Sequence, residues 1–573
     1  MSVTVRRVRA RDSTAGTQLP ENLAPLLRRI YAARHVASPA ELATGLDALL
    51  PVGSLERVQE AADLLLLHRP GRVLIVGDFD ADGATSTALM MHALTEWGFQ
   101  ADFLVPDRFR FGYGLTPGIV GQALERKPSL IVTVDNGISS LEGVAAARAQ
   151  GIDVLVTDHH LPGEQLPHAN VIVNPNLPGS AFGSRALAGV GVAFYVLVTL
   201  QRALQATAQW RSGMRSVSHW LDLVALGTVA DLVPLDANNR VLVGQGLRRM
   251  RAGQCVPGVL ALLEVAKRDA NSVVAADLGY AVGPRLNAAG RLDDMSIGIR
   301  CLIARDPAAA RKLAAELDAL NKQRRQIEAD MQVQAQAAVK SVGIWRDGER
   351  HAGLSLFDAG WHQGVVGLVA SRIKDRTGRP VVAFAPAGDG VELRGSARSI
   401  PGVHVRDVLE SISTRHVGLI KRFGGHAMAA GLTIEQPDLD RFARAFDTAV
   451  AERLAQAESD DVVWTDGALP DAEISLVTAQ LLRDAGPWGQ AFPEPTFEGE
   501  FEIESARVIG EKHMKCWLRP VGSQSRFDAI AFNLLDGERF STPPQGRMRL
   551  AYRLDINHWQ GERRLQLLIE HIE

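Results

Sequence analysis

At 573 residues the chain is too long for one hydrophobic core and predicts three or four domains. Apolar residues make up 46% and charged residues 22%, ordinary for a globular protein, and a net charge of −3 excludes a polycation without excluding nucleic acid, since placement decides that. No run is long and apolar enough to cross a membrane, no signal peptide is visible, and three dispersed cysteines without a CxxC speak against a zinc or disulfide framework, so a reducing cytoplasm is expected.

Residues 1–45 read as an irregular arm with some helix. From about residue 50 to 235 strands alternate with helices. The strands are Arg72–Gly77, Leu130–Val134, Ile152–Val156 and Val171–Val173, short β-branched runs of the kind that form a parallel sheet covered on both faces. Residues 236–310 read as mainly helical. From Arg311 to Lys340, Leu313, Leu317, Leu320, Ile327 and Met331 trace the apolar stripe of one long helix, a brace between lobes rather than a coiled coil. A second α/β lobe follows at about 350–450, with strand Arg379–Phe384 and a glycine-rich Phe423-Gly424-Gly425-His426. From His351 to Ala430 ten Lys and Arg face six Asp and Glu, a local excess of positive charge. The end of the chain, with strand candidates at 497–503, 513–519, 527–532 and 548–557, suggests a small barrel, with an OB-fold as one form of it.

The chemistry concentrates at strand ends. Asp78, Asp80 and Asp82 follow the first strand at every second position, where alternation places them on one side of an extended chain. Parallel sheets bind ligands at their carboxyl edge, and packed carboxylates there repel unless cations bind between them. A solvated turn or an N-cap at Asp82 is the alternative. The pattern recurs as Asp135-Asn136-Gly137 after the second strand, Asp158-His159-His160 after the third, and Asp231 after an apolar helix-like run. Oxygen-rich ligands with one or two imidazoles suit Mn²⁺ or Mg²⁺ over zinc, and a bridging aspartate allows two ions about 3.5–4 Å apart, as in phosphoryl hydrolysis.

These four ordered motifs resemble the DHH phosphoesterase superfamily. Segments 105–114, 283–291, 395–399 and 424–431 resemble its RecJ branch, and the likeness runs from about residue 50 to the end. The resemblance implies an α/β multidomain protein: arm 1–45, a parallel-sheet DHH catalytic lobe 46–310, connecting helix 311–345, a second α/β lobe of the DHHA1 type 346–455, and a C-terminal OB-like β-barrel 456–573. It implies metal ligands Asp80, Asp82, Asp135, His159 and Asp231, with Asp135 as bridge; His160 against the scissile phosphate or its water; and a further role for Asp78. Related pyrophosphatases carry a metal-binding histidine where this chain has Val76, which argues against pyrophosphatase activity.

Arg108 and Arg110 flank an aromatic loop ending at Tyr113, a kit for phosphates and bases, although a surface loop with a packed tyrosine reads the same. Arg285 and Asn287 lie near a Gly-Pro turn and would contact substrate or pair with nearby acids. Ser396 and Arg398 offer a hydroxyl and a guanidinium for a terminal phosphate, the glycines before His426 permit close backbone approach to a ligand, and the resemblance implies that these residues bind the 5′ end. In the barrel Lys512, His513, Lys515, Trp517 and Arg519 fit strand tracking, as would any amphipathic strand. Trp361 and His362 fit core packing and binding equally. The resemblance implies exonuclease action on single-stranded DNA from the 5′ end, in recombination and repair. It also implies two Mn²⁺ or Mg²⁺ ions, no membrane, a monomer, and single-strand-binding protein and a RecQ-type helicase as partners.

Overall fold

A computed structural model describes residues 7–13, 18–106, 113–342, 345–346, 349–387, 390–454, 462–510, 512–535, 540–559 and 562–573. Arg108 and Arg110 lie outside the described residues. The chain forms two compact units, Met1–Gly290 with Asp294–Leu317 and Asp461–Glu573, and Arg291–Asp293 with Asp318–Asp460.

The first unit opens with strand β1 (Arg7–Ala10) and helix α1 (Pro25–Ala32). Its catalytic-lobe sheet is built from β2 (Arg72–Gly77), followed by helix α2 (Ala81–Glu96), then β3 (Gln100–Leu104), β4 (Leu130–Val134), β5 (Asp153–Thr157) and β6 (Val171–Val173). The order is β3-β2-β4-β5-β6 and every pairing is parallel. The inner strands are apolar on both faces because helices cover both. The edge strand β3 was not anticipated: Gln100-Ala-Asp-Phe-Leu has no β-branched residue, and it is only half-buried.

Helix α3 (Gly189–Ala206) is longer than the apolar run Val190–Leu200, long and apolar enough on composition to cross a membrane. Most of its residues are buried inside the lobe, so here it is a core helix. Helices α4 (Leu221–Ala230) and α5 (Gly283–Leu292) complete the elements that reach the sheet's carboxyl edge.

Helix α6 (Pro307–Val342) contains the predicted amphipathic stripe and begins four residues before Arg311, and the boundary between the units falls within it, after Leu317. In the second unit Met331 and Ala335 of α6 share a core with β7 (Leu354–Phe357), helix α7 (Val366–Thr377) and β8 (Val381–Pro386). Trp361 belongs to that core and its indole donates to Gln334 Oε1 at 3.0 Å, which makes it a packing residue. Strands β9 (Glu392–Arg398), β10 (Arg422–Gly425) and β11 (Ala429–Glu435) extend the sheet to the order β10-β11-β9-β8-β7.

The chain then returns to the first unit. Strand β12 (Val462–Thr465) pairs in parallel with β1, and β13 (Phe497–Ile509), β14 (His513–Pro520), β15 (Phe527–Ala531), β16 (Gly546–Trp559) and β17 (Glu562–Ile572) close a barrel. The fifth strand went unread because Leu567-Leu568-Ile569 breaks the two-residue alternation. A register slip between Ile503 and Ser505 lets β13 run on past the predicted end at Ile503.

Candidate metal centre

The three aspartates after β2 do not stay on one extended strand. Asp78 and Asp80 do lie in the link, but Asp80 is the N-cap of α2, its Oδ1 accepting from Gly83 N at 3.0 Å. Asp82 already sits in the first helical turn, so the cap is Asp80 and not Asp82. Both Asp82 oxygens meet the start of α3, Oδ2 accepting from Gly189 N at 2.7 Å and Oδ1 from Val190 N at 3.0 Å. A helix N-terminus favours that negative charge. Close packing is built in: a Cβ on Gly189 would lie 2.6 Å from Asp135 Cβ, and one on Gly227 of α4 2.8 Å from Asp82 Oδ1.

Asp135, one residue past β4, adopts φ +62°, a left-handed conformation rare for a non-glycine residue and frequent at functional sites. It is 1% exposed, and its Oδ1 lies 3.1 Å from His159 Nε2. His159 Nε2 also lies 3.5 Å from Asp231 Oδ2, at the C-cap of α4. Ligand atoms fall into three groups, each within 4.8 Å: Asp78, Asp80 and Asp135; Asp135, His159 and His160; Asp82, His159 and Asp231. Asp135 and His159 each belong to two of them. His160, read as a phosphate contact, thus also sits among potential ligands.

Asp158, which was singled out only as part of its motif, organises the histidines. Fully buried, it accepts from His159 N, His160 N and His160 Nδ1 through Oδ1 (2.7, 3.0 and 2.8 Å) and from Ile138 N through Oδ2 at 2.9 Å. Asn174 and Asn176 donate to the carbonyls of His160 and His159 at 2.9 and 2.6 Å. Neither asparagine stands out in the sequence.

The electrostatics leave cations wanting. Burial, then Asp80, pushes Asp82 up to about 7. Burial, then Asp82, raises Asp135 and Asp231 well above the ordinary carboxylate range. Burial opposes a charge on His160, but the bond to Asp158 prevails and lifts it to about 9. Asp135 Oδ1 is buried and accepts no hydrogen bond among the described residues. A buried oxygen left over, amid crowded carboxylates and an imidazole, is the donor set a hard divalent cation satisfies.

Tyr113 stands at this cluster, its hydroxyl 3.3 Å from both the Asp135 carbonyl and His160 Nδ1. Asn287 is on helix α5 rather than a turn, and its Oδ1 accepts from Ala81 N at 2.8 Å, holding the loop between Asp80 and Asp82. Arg285 Nη1 donates to Ala281 O at 2.6 Å.

In the second unit Arg398 Nη1 donates to Ser396 Oγ at 2.9 Å and Ala397 O at 2.8 Å. Gly367, in the first turn of α7, leaves room for them: its Cβ would lie 2.7 Å from Arg398 Nη2. Burial lowers the Arg398 pKa, and no carboxylate pairs with it among the described residues. Ala429 pairs with Arg398 and its carbonyl accepts from His426 N at 2.8 Å, which brings the His426 turn to that end of the sheet. In the barrel Trp517 is half-exposed, while Lys515 is 3.3 Å from Asp528 and Arg519 pairs with Glu502 and Glu504.

The single-stranded-DNA-specific exonuclease RecJ of Dickeya dadantii (strain 3937) is 52% identical over 568 residues, 98% of each chain. That of Escherichia coli (strain K12) is 50% identical over 574 residues, 99% of each. The chain belongs to the RecJ family. Three family models match it: DHH family, N-terminal domain, at residues 72–228; DHHA1 domain at 337–452; and RecJ OB domain at 465–571. The crystal structure of RecJ from Thermus thermophilus in complex with Mn²⁺ superposes with a TM-score of 0.80 at 28% identity, over 100% of this chain and 80% of that one. Its Mg²⁺ complex gives 0.73 at 27%, over 99% and 78%. The RecJ fold therefore accounts for the DHH lobe, the DHHA1 lobe and the barrel together.

Proposed function

We propose that this chain is a divalent-metal-dependent exonuclease that degrades single-stranded DNA from its 5′ end and releases 5′-mononucleotides. The observation that carries the reading is the trio of ligand groups joined through Asp135 and His159 at the sheet's carboxyl edge. Asp78, Asp80 and Asp135 would hold one Mn²⁺ or Mg²⁺ ion, and Asp82, His159 and Asp231 a second, with Asp135 shared between them. When bound, such a pair supplies the positive charge that activates water and steadies the charge developing on the phosphate.

The chain's own residues do the rest. Asp158 fixes both histidines and keeps His160 cationic, available to a phosphate oxygen. Asn287 holds the Asp80–Asp82 turn. Tyr113 braces the Asp135 backbone and offers a ring to a base. Arg398 and Ser396, with His426 nearby, offer a cradle for a terminal phosphate, and the 5′ polarity rests on the family resemblance. The family resemblance supports substrate contacts by Arg108, Arg110 and Arg285. The family resemblance supports work in DNA recombination and in double-strand-break and mismatch repair. It also supports a cytoplasmic monomer alongside single-strand-binding protein and a RecQ-type helicase.

Internally labelled single-stranded DNA, with the 5′ end phosphorylated or blocked, tests this in Mn²⁺, Mg²⁺ and EDTA. Mononucleotides released only with metal and only from a free 5′ end are expected. Equal cleavage of the blocked strand would overturn the polarity, and no cleavage with either metal would overturn the activity.

A further inference from the structure

Two large side chains on segments next to the metal centre are mostly exposed. Leu232 directly follows Asp231, is 65% exposed, and has φ +61°. A left-handed leucine is disfavoured, and leaving it in water forgoes its burial as well. Tyr280 is 78% exposed, on the π-helical turn Leu278–Val282. Single π-turns are uncommon and gather at functional sites.

The π-turn is docked on the elements that carry the metal ligands. A Cβ on Gly279 would lie 3.3 Å from Val229 Cγ1, and one on Gly283 3.1 Å from Ala230 Cβ, so the turn rests against the two residues just before Asp231. The helix that continues from it reaches the Asp80–Asp82 loop through Asn287. Seven residues separate Tyr280 from Asn287, about 10 Å along a helix. Tyr280 and Leu232 are therefore carried by segments that meet at the end of α4, where Leu232 directly follows Asp231 of the cluster.

We propose that Tyr280, together with Leu232, forms a stacking platform for a base of the single strand near the scissile phosphate. This rests on the exonuclease reading above. An aromatic face takes any base, which suits an enzyme that must advance through every sequence. The strain at Leu232 and the π-turn under Tyr280 are then the cost of presenting both side chains to the strand.

The test uses the full-length protein with Mn²⁺ and a 5′-phosphorylated single-stranded oligonucleotide, intact or with one abasic nucleotide at each of the leading positions in turn. For the wild type one abasic position is expected to raise KM by about 5- to 150-fold, the worth of one stacked base. Tyr280→Ala and Tyr280→Gln should each raise KM on the intact strand by a similar factor with kcat little changed, and should lose the abasic penalty. Tyr280→Phe should restore wild-type behaviour, and Leu232→Gly should raise KM by less. A wild-type KM in both Tyr280→Ala and Tyr280→Gln, or an abasic penalty that survives in them, overturns the platform and leaves the exonuclease reading standing. A wild type inactive on every strand overturns that reading and the platform with it.

Discussion

Two of the places where the first unit buries charge treat it in opposite ways. At the joint between the N-terminal arm and the barrel, Asp466 has its cation built in. Arg34 binds it through two nitrogens at 2.6 and 3.0 Å, Thr496 N adds a third bond at 3.0 Å, and the two side chains are 0% and 1% exposed. The surplus donors of Arg34 go to the carbonyls of Ile30 and Pro493. At the sheet edge, Asp82, Asp135 and Asp231 are crowded together with imidazoles and backbone amides, and no arginine or lysine pairs with them among the described residues. At Asp466, where charge serves the architecture, the sequence encodes the counter-ion. Where it serves chemistry, the place is left for a cation from solution.

That contrast is broken most sharply at Asp135. Asp135→Asn should cut kcat on single-stranded DNA by at least about a hundredfold, since the shared carboxylate loses its charge. In EDTA the same variant should unfold at a higher temperature than the wild type, because one of several repelling carboxylates is gone. Full hydrolysis by the variant would sink the metal assignment; lower stability in EDTA would sink the claim of uncompensated repulsion. Asp466→Ala should do the reverse. Leaving Arg34 buried without its carboxylate should cost about 3–5 kcal/mol in urea unfolding. Adding metal should not restore it. An unchanged urea midpoint would mean that water reaches Arg34 and that the joint is not the closed ion pair described.

Asp158 tests how far support extends beyond the ligands. Asp158→Asn keeps the shape but removes the charge that holds His160. Mn²⁺ affinity by calorimetry should fall about 10–100-fold, because the same carboxylate also anchors the backbone N–H of His159, one of the proposed ligands. Unchanged affinity would confine Asp158 to folding the turn.

The legible parts of the molecule were those with a period or a repeated position. β-branched strands buried on both faces announced the sheet, and an acid or histidine after successive strands announced the cluster. The long helix α6 was visible as a stripe. What stayed hidden depended on tertiary contact. β3 lies at an edge where hydrophobic demand is weak. Asp82 looked like a strand-end ligand or a cap, yet the helix begins at Ala81 and the amides that hold it come from Gly189 and Val190, more than a hundred residues on. Asn287 looked like a substrate contact beside a turn, and its place on a helix against Ala81 could be known only from the fold. Ser396 and Arg398, read as a kit for a terminal phosphate from their side-chain chemistry, lie two residues apart on β9 and so share a face, whereas the space that Gly367 provides could not be seen in the sequence.

The gentlest probe of the comparison is pH, because it titrates one cluster and spares the other. In the metal-free protein Asp82 is raised to about 7, so the folded state holds a proton that the unfolded chain gives up near 3.8. Stability should therefore decline as pH rises between those values. His160 is raised to about 9 from 6.5, so its contribution is complete below 6.5 and is lost as pH rises to 9. Both groups act in the same direction, and thermal unfolding in EDTA should occur at progressively lower temperature from pH 6 to pH 9. Mn²⁺ should raise the unfolding temperature more at pH 8 than at pH 5, because it competes with protons for the same carboxylates. In Asp135→Asn the decline in EDTA should flatten, while in Asp466→Ala it should keep the wild-type slope from a lower start. A wild-type slope in Asp135→Asn would place the pH dependence outside the metal cluster and remove the electrostatic distinction between the two buried sites.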